Sequence, residues 1–77
     1  MVYAKLLSNE NGIIRYSYQP EKIGKPGILS YNKSEDNPEV EEKAEMDGGS
    51  SFYTSPVFGM IYKHIDDPPK EKTLVLY

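Results

Sequence analysis

Between residues 13 and 19 the side chains alternate: Ile14, Tyr16 and Tyr18 share one side, and Arg15, Ser17 and Gln19 the other. A period of two marks an extended strand with one buried face, because successive Cβ atoms point to opposite sides of the backbone. Just upstream, residues 2–7 form a second β-favouring run, and Ser8-Asn9-Glu10-Asn11-Gly12 separates the two. A connection ending in Asn-Gly is a hairpin signal, since both residues accept the positive φ that tight turns require. The chain is therefore expected to begin with an antiparallel hairpin that buries Ile and Tyr on one face, and Pro20 ends its second strand.

That face has to be covered by a short chain. Seventy-seven residues make one small globular domain, residues 1–77, and a chain of this size buries only roughly 60–65% of the surface its unfolded form exposes. There is no cysteine, so disulfides and thiolate zinc sites are both excluded. Seven tyrosines compensate for a modest apolar fraction, because a tyrosine buries a large ring while its hydroxyl stays at a polar edge. Aromatics occur in nearly every apolar run, which argues against disorder. The N-terminus has no basic stretch followed by a long apolar one, as a signal peptide would, and no run approaches the ~20 residues that span a bilayer. These features read as a soluble, cytoplasmic protein.

Further along, residues 21–27 are a connector punctuated by Gly24, Pro26 and Gly27, residues 28–33 a third strand, and residues 34–38 a turn. Residues 39–47 suit either a strand or a helix. Glu, Lys, Ala and Met favour a helix, but its apolar stripe would be only Val40, Ala44 and Met46, too narrow to hold it on a core. A short exposed strand is the preferred reading. Ser55-Pro56 then offers a helix N-cap and first helical residue, and Val57, Met60, Ile61, His64 and Ile65 fall on one face. Asp66-Asp67-Pro68-Pro69 stops that helix. Residues 73–77 read as a closing strand so apolar that it must pair inside a sheet or against another molecule, which admits a homodimer through an edge strand.

The expected fold is α+β: a mostly antiparallel sheet of four to five strands with one helix packed on a face, in the order β-β-β-β-α-β. Charge is polarised along it. Residues 1–34 carry five cationic side chains and two carboxylates, whereas residues 35–47 carry seven carboxylates and one lysine.

The order of pieces resembles a known group. Tyr16-Ser-Tyr18-Gln-Pro-Glu21, then Gly27-Ile-Leu-Ser-Tyr-Asn-Lys33, then Val40-Glu-Glu-Lys-Ala-Glu-Met-Asp47, then a tyrosine-bearing helix and a terminal Tyr77 are similar to small proteins of low-GC Gram-positive bacteria and their mobile elements. The similarity spans about residues 13–77. That group carries no assigned activity or site residues. The resemblance implies sheet strands followed by one helix and a last strand, and Pro56 and Gly59 depart from its pattern.

Chemistry-bearing constellations are few. His64-Ile65-Asp66-Asp67 is the one cluster with acid–base or metal-binding character. A metal site there needs a further ligand, which Glu45 or Asp47 would have to supply through the fold. The commoner explanation puts His64 at a helix C-terminus, where a cation is favoured, and the aspartates in a turn. Serine or cysteine nucleophilic catalysis lacks its parts, since there is no Cys and no Gly-x-Ser-x-Gly elbow. Gly48-Gly49-Ser50-Ser51 lacks the spacing and lysine of a phosphate loop and reads as a connector. The sequence asks for no cofactor and assigns no catalytic residue.

Two surfaces remain. The N-terminal half interleaves Lys5, Arg15, Lys25 and Lys33 with Tyr16, Tyr18 and Tyr31, a composition that suits single-stranded nucleic acid. Alternation weakens that reading by setting Tyr16 and Tyr18 opposite Arg15. The acidic stretch, with Glu39, Glu41, Glu45 and Asp47, offers a surface to a basic macromolecular partner, against the plainer role of keeping a sheet edge solvated. By elimination, a non-enzymatic protein-binding or regulatory module without a membrane segment is the leading expectation. An enzyme centred on His64 and a nucleic-acid binder are the alternatives.

Overall fold

The computed structural model describes residues 1–49 and 51–75. Five strands, β1 (Val2–Glu10), β2 (Ile13–Pro20), β3 (Gly27–Asn32), β4 (Asn37–Glu42) and β5 (Glu71–Leu74), form one antiparallel sheet, and one helix, α1 (Thr54–Lys63), lies between β4 and β5 in sequence. The strand order is β4-β3-β2-β1-β5, so β4 and β5 are the edges. This is the expected α+β fold in the expected β-β-β-β-α-β order.

The opening hairpin is tighter than its sequence suggested. Glu10 pairs with Ile13, leaving only Asn11 and Gly12 in the turn, both at positive φ (57° and 76°). Such a two-residue turn twists with the strands it joins. The alternation in β2 decides the core: Ile14, Tyr16, Tyr18 and Pro20 are buried. Val2 and Ala4 of β1, Leu29 and Tyr31 of β3, Ala44 after β4, and Val57, Met60 and Ile61 of α1 complete it. Spacing of three and four along α1 brings those last side chains onto one helical face.

The helix begins earlier than the Ser55-Pro56 pair predicts. Its N-cap is Tyr53, which makes no side-chain cap bond, and Ser55 N–H already donates to Ser51 O at 2.9 Å. This i→i−4 bond carries the helical pattern past Ser55 toward Ser51, so the serine sits inside the helix rather than at its cap. Pro56, third in the helix, is still tolerated because the first four N–H groups have no intrahelical partner. The helix also ends earlier, at Lys63, with His64 as C-cap.

Residues 39–47 likewise divide. Strand β4 stops at Glu42, and residues 43–47 leave the edge and fold back beneath the sheet margin. The cause is Gly27. A Cβ at this position would collide with Ala44 N, Glu42 O and the Tyr18 ring, so only glycine lets the chain after β4 approach so closely. The closing strand is β5, four residues long; Leu76 and Tyr77 of the expected 73–77 run lie outside the described residues.

Candidate functional site

The core tyrosines keep their hydroxyls at the margin of the sheet, and each holds a connecting segment. Tyr16 donates to Pro69 O, ahead of β5. Tyr31 donates to Asp36 Oδ1 at 2.6 Å, holding the β3–β4 turn. Tyr18 donates to Asp47 Oδ2 at 2.7 Å and accepts from Ala44 N–H at 3.0 Å, holding the segment after β4. All three hydroxyls are pushed up to about 12. Burial is the cause for Tyr16 and the main cause for Tyr18, where the Asp47 carboxylate adds to it and the Ala44 N–H opposes it. For Tyr31 the bond to Asp36 comes first, then burial. Phenolate beside a carboxylate, or out of water, is disfavoured in each case.

Strand β4 lies between two of these tethers, and all six of its residues are exposed. Its register places Val40 opposite Leu29 and Pro38 opposite Tyr31 on the helix-bearing side, and Glu39 opposite Ser30 on the other. The register slips between Ile28 and Leu29, so that Glu41 is the extra residue of a bulge. Arg15 reaches across β3 to grip Glu41 with two bonds, Nε to Oε2 at 3.1 Å and Nη2 to Oε1 at 2.7 Å. That bridge roofs over Ser30, which is buried. The Glu41 carboxyl is held below the usual carboxylate range, first by the Arg15 hydrogen bonds. Lys25 Nζ meets Glu42 Oε1 at 3.0 Å.

On the helix side of β4 lies a groove of about 330 Å³ lined by Val40, Lys43, Asp47, Gly49, Ser51 and Thr54. Gly49, at φ 95°, donates its N–H to Asp47 Oδ1 at 3.0 Å. The glycine turn therefore uses this donor internally.

Of the acidic residues singled out above, Glu39, Glu41 and Glu45 are exposed, but Asp47 is only 6% exposed. Asp47 is thus not part of an acidic surface; its carboxylate is a structural acceptor. Sequence reasoning had no signal for this, since an aspartate in a run of acids looks like any other. It also missed the groove, although the single small residue Ala44 inside a charged run hinted that the chain turns inward there.

His64, Asp66 and Asp67 are exposed, and Asp67 N–H donates to His64 O at 3.0 Å as part of the turn that ends the helix. Asp47 lies beside the helix start and His64 just after its end, separated by about 15 Å of helix at 1.5 Å per residue. Among the described residues no group of three or more His, Asp or Glu side chains is placed to hold a metal ion. Tyr16, Tyr18 and Tyr31 are buried, while Lys5 and Arg15 belong to the opposite face. The aromatic on that face is the half-buried Tyr3, whose ring carries Lys22 Nζ at 5.6 Å from its centroid. No helix among the described residues is long and apolar enough to cross a membrane. Comparison with protein-family models, with curated proteins and with solved structures finds no match to this chain.

Proposed function

We propose that the protein is a non-enzymatic protein-binding module of the cytoplasm that engages its partner through the acidic edge of its sheet. The observation that carries this reading is that all six residues of β4 are exposed between two fixed points. Tyr31 holds the turn before it and Tyr18 the segment after it, so the edge is displayed without being loose. Preorganisation of this kind lowers the ordering cost of binding. Glu39 and Glu45 make no ion pair among the described residues, which leaves their charge available to a partner. A rim of one sign also speeds encounter with a surface of the other.

The test is Glu39→Lys combined with Glu45→Lys, which leaves the Arg15–Glu41 bridge intact. Proteins captured from host lysate by the unaltered chain are expected to be lost by the double variant. Recovery of the same proteins at the same strength would dismiss the acidic edge as the binding surface.

A further inference from the structure

The edge has a polarity that narrows its partner. Proline is tolerated in a strand where its missing N–H would face out of the sheet. Pro38 in β4 therefore fixes which backbone groups point where: Asn37 and Glu39 bond inward to Asn32 and Ser30, their register partners. Alternation then turns the N–H and C=O of Val40, two residues on, away from the sheet. Beyond Val40 the Glu41 bulge and its Arg15 clamp bend the edge. What remains is a short edge of residues 37–40 offering the Val40 donor–acceptor pair and the Pro38 carbonyl, too little for indiscriminate sheet pairing.

The side chains flanking that pair differ between the two faces. On one, Glu39 stands exposed and makes no ion pair among the described residues. On the other, Val40 opens into the 330 Å³ groove, with Thr54 and the tethered Asp47 within it and Lys43 beside them. A strand added to a sheet edge gains affinity from main-chain bonds and specificity from pockets that take alternate side chains. We infer that the β4 edge accepts an extended peptide of a partner protein, bonded to the Val40 backbone, with a Lys or Arg over Glu39 and an apolar side chain beside Val40 in the groove. Charge complementarity selects this occupant over a second copy of the chain, whose own β4 would bring glutamate against glutamate. The inference rests on the protein-binding reading and specifies its chemistry.

The test titrates the full ¹⁵N-labelled chain with the acetylated, amidated peptide Lys-Val-Lys-Val-Lys-Val. Controls are the same peptide with alternate amides N-methylated and the version with Glu in place of Lys. Shifts are expected at the amides of Glu39, Val40, Lys43, Gly49 and Thr54, and both controls should bind at least tenfold more weakly. Glu39→Lys should weaken the first peptide by a similar factor. Binding that ignores N-methylation, shifts confined to the helix or the open face, or no shifts at millimolar peptide would each overturn strand addition. If strand addition fails while the Glu39→Lys, Glu45→Lys double variant still loses its captured proteins, the protein-binding reading survives alone. If capture is indifferent to those charges, that reading is the one that falls.

Discussion

Two neighbouring stretches of the same acidic run behave in opposite ways. Asn37–Glu42 is exposed at every position and makes the edge of the sheet. Two residues further on, Ala44 is 1% exposed and Asp47 6%. Composition does not separate them, because half of each is acidic: three of six residues in 37–42 and two of four in 44–47. The difference lies in what each meets. Strand β4 has β3 on one side and solvent on the other, whereas residues 44–47 meet the Tyr18 hydroxyl and the bare backbone of Gly27. An acidic residue is therefore surface or structure according to the neighbour it finds, and here a tyrosine and a glycine from other strands decide.

The strongest way to break this contrast is Gly27→Ala. The new methyl would press on backbone atoms of residues 42 and 44 and on a buried ring, none of which can swing aside as a flexible side chain does. Overpacking of this kind costs typically about 3 kcal/mol at its upper range, a large part of what so small a core supplies. Urea denaturation should show most of the stability gone.

Tyr18→Phe removes the tether and leaves the ring. The Ala44 N–H and the Asp47 carboxylate lose their shared partner, and an unsatisfied buried group costs about 1–3 kcal/mol. Equilibrium unfolding measures it. Residues 37–40 should keep their pairing with β3 through the intact Tyr31 tether, while Glu42, which adjoins the released segment, shifts and loosens.

Alkaline pH acts on the same tethers. In the unfolded chain a tyrosine titrates near 10.0, and Tyr16, Tyr18 and Tyr31 are pushed up to about 12 in the fold. The folded state thus binds these protons more tightly, so their contribution is complete below the unfolded value and is lost as pH rises through the folded one. Stability should fall between pH 10 and 12, and Tyr18→Phe should blunt the fall. An unchanged midpoint across that window would remove the tethers from the account.

The smallest effect belongs to the exposed side of the comparison. Arg15 and Glu41 are well placed, but both side chains remain partly in water, and surface pairs contribute about 0–1 kcal/mol. A double-mutant cycle with Arg15→Gln and Glu41→Gln should give a coupling within that range and decline with added salt.

Much of the architecture was legible beforehand. Asn11-Gly12 announced the hairpin, and the period-two run of Ile14, Tyr16 and Tyr18 pointed to the buried face. Local chemistry carried both. What stayed hidden depends on residues far apart in sequence. Gly27 read as connector punctuation, although it opens β3 and admits Ala44; Asp47 read as surface charge, although Tyr18 lies 29 positions earlier. Ser55 looked like an N-cap because Ser-Pro commonly opens a helix, but the turn at residues 51–53 starts the helix sooner, at Thr54, and bonds the Ser55 N–H to Ser51 O. The candidate edge was half legible: its acidity could be seen, but the bulge at Glu41 and the groove beside Val40 come only from pairing.

Amide hydrogen exchange on the folded chain tests the central contrast most directly. The Ala44 N–H, bonded to a buried tyrosine, and the Glu45 N–H, bonded to Lys25 O at 2.9 Å, should exchange slowly, while the outward Val40 N–H exchanges near the rate of open peptide. Tyr18→Phe should abolish protection at Ala44 and leave Val40 unchanged. If Ala44 exchanges as fast as Val40 in the unaltered protein, the acidic run is uniformly open, and the account of a tethered segment beside a displayed edge is contradicted.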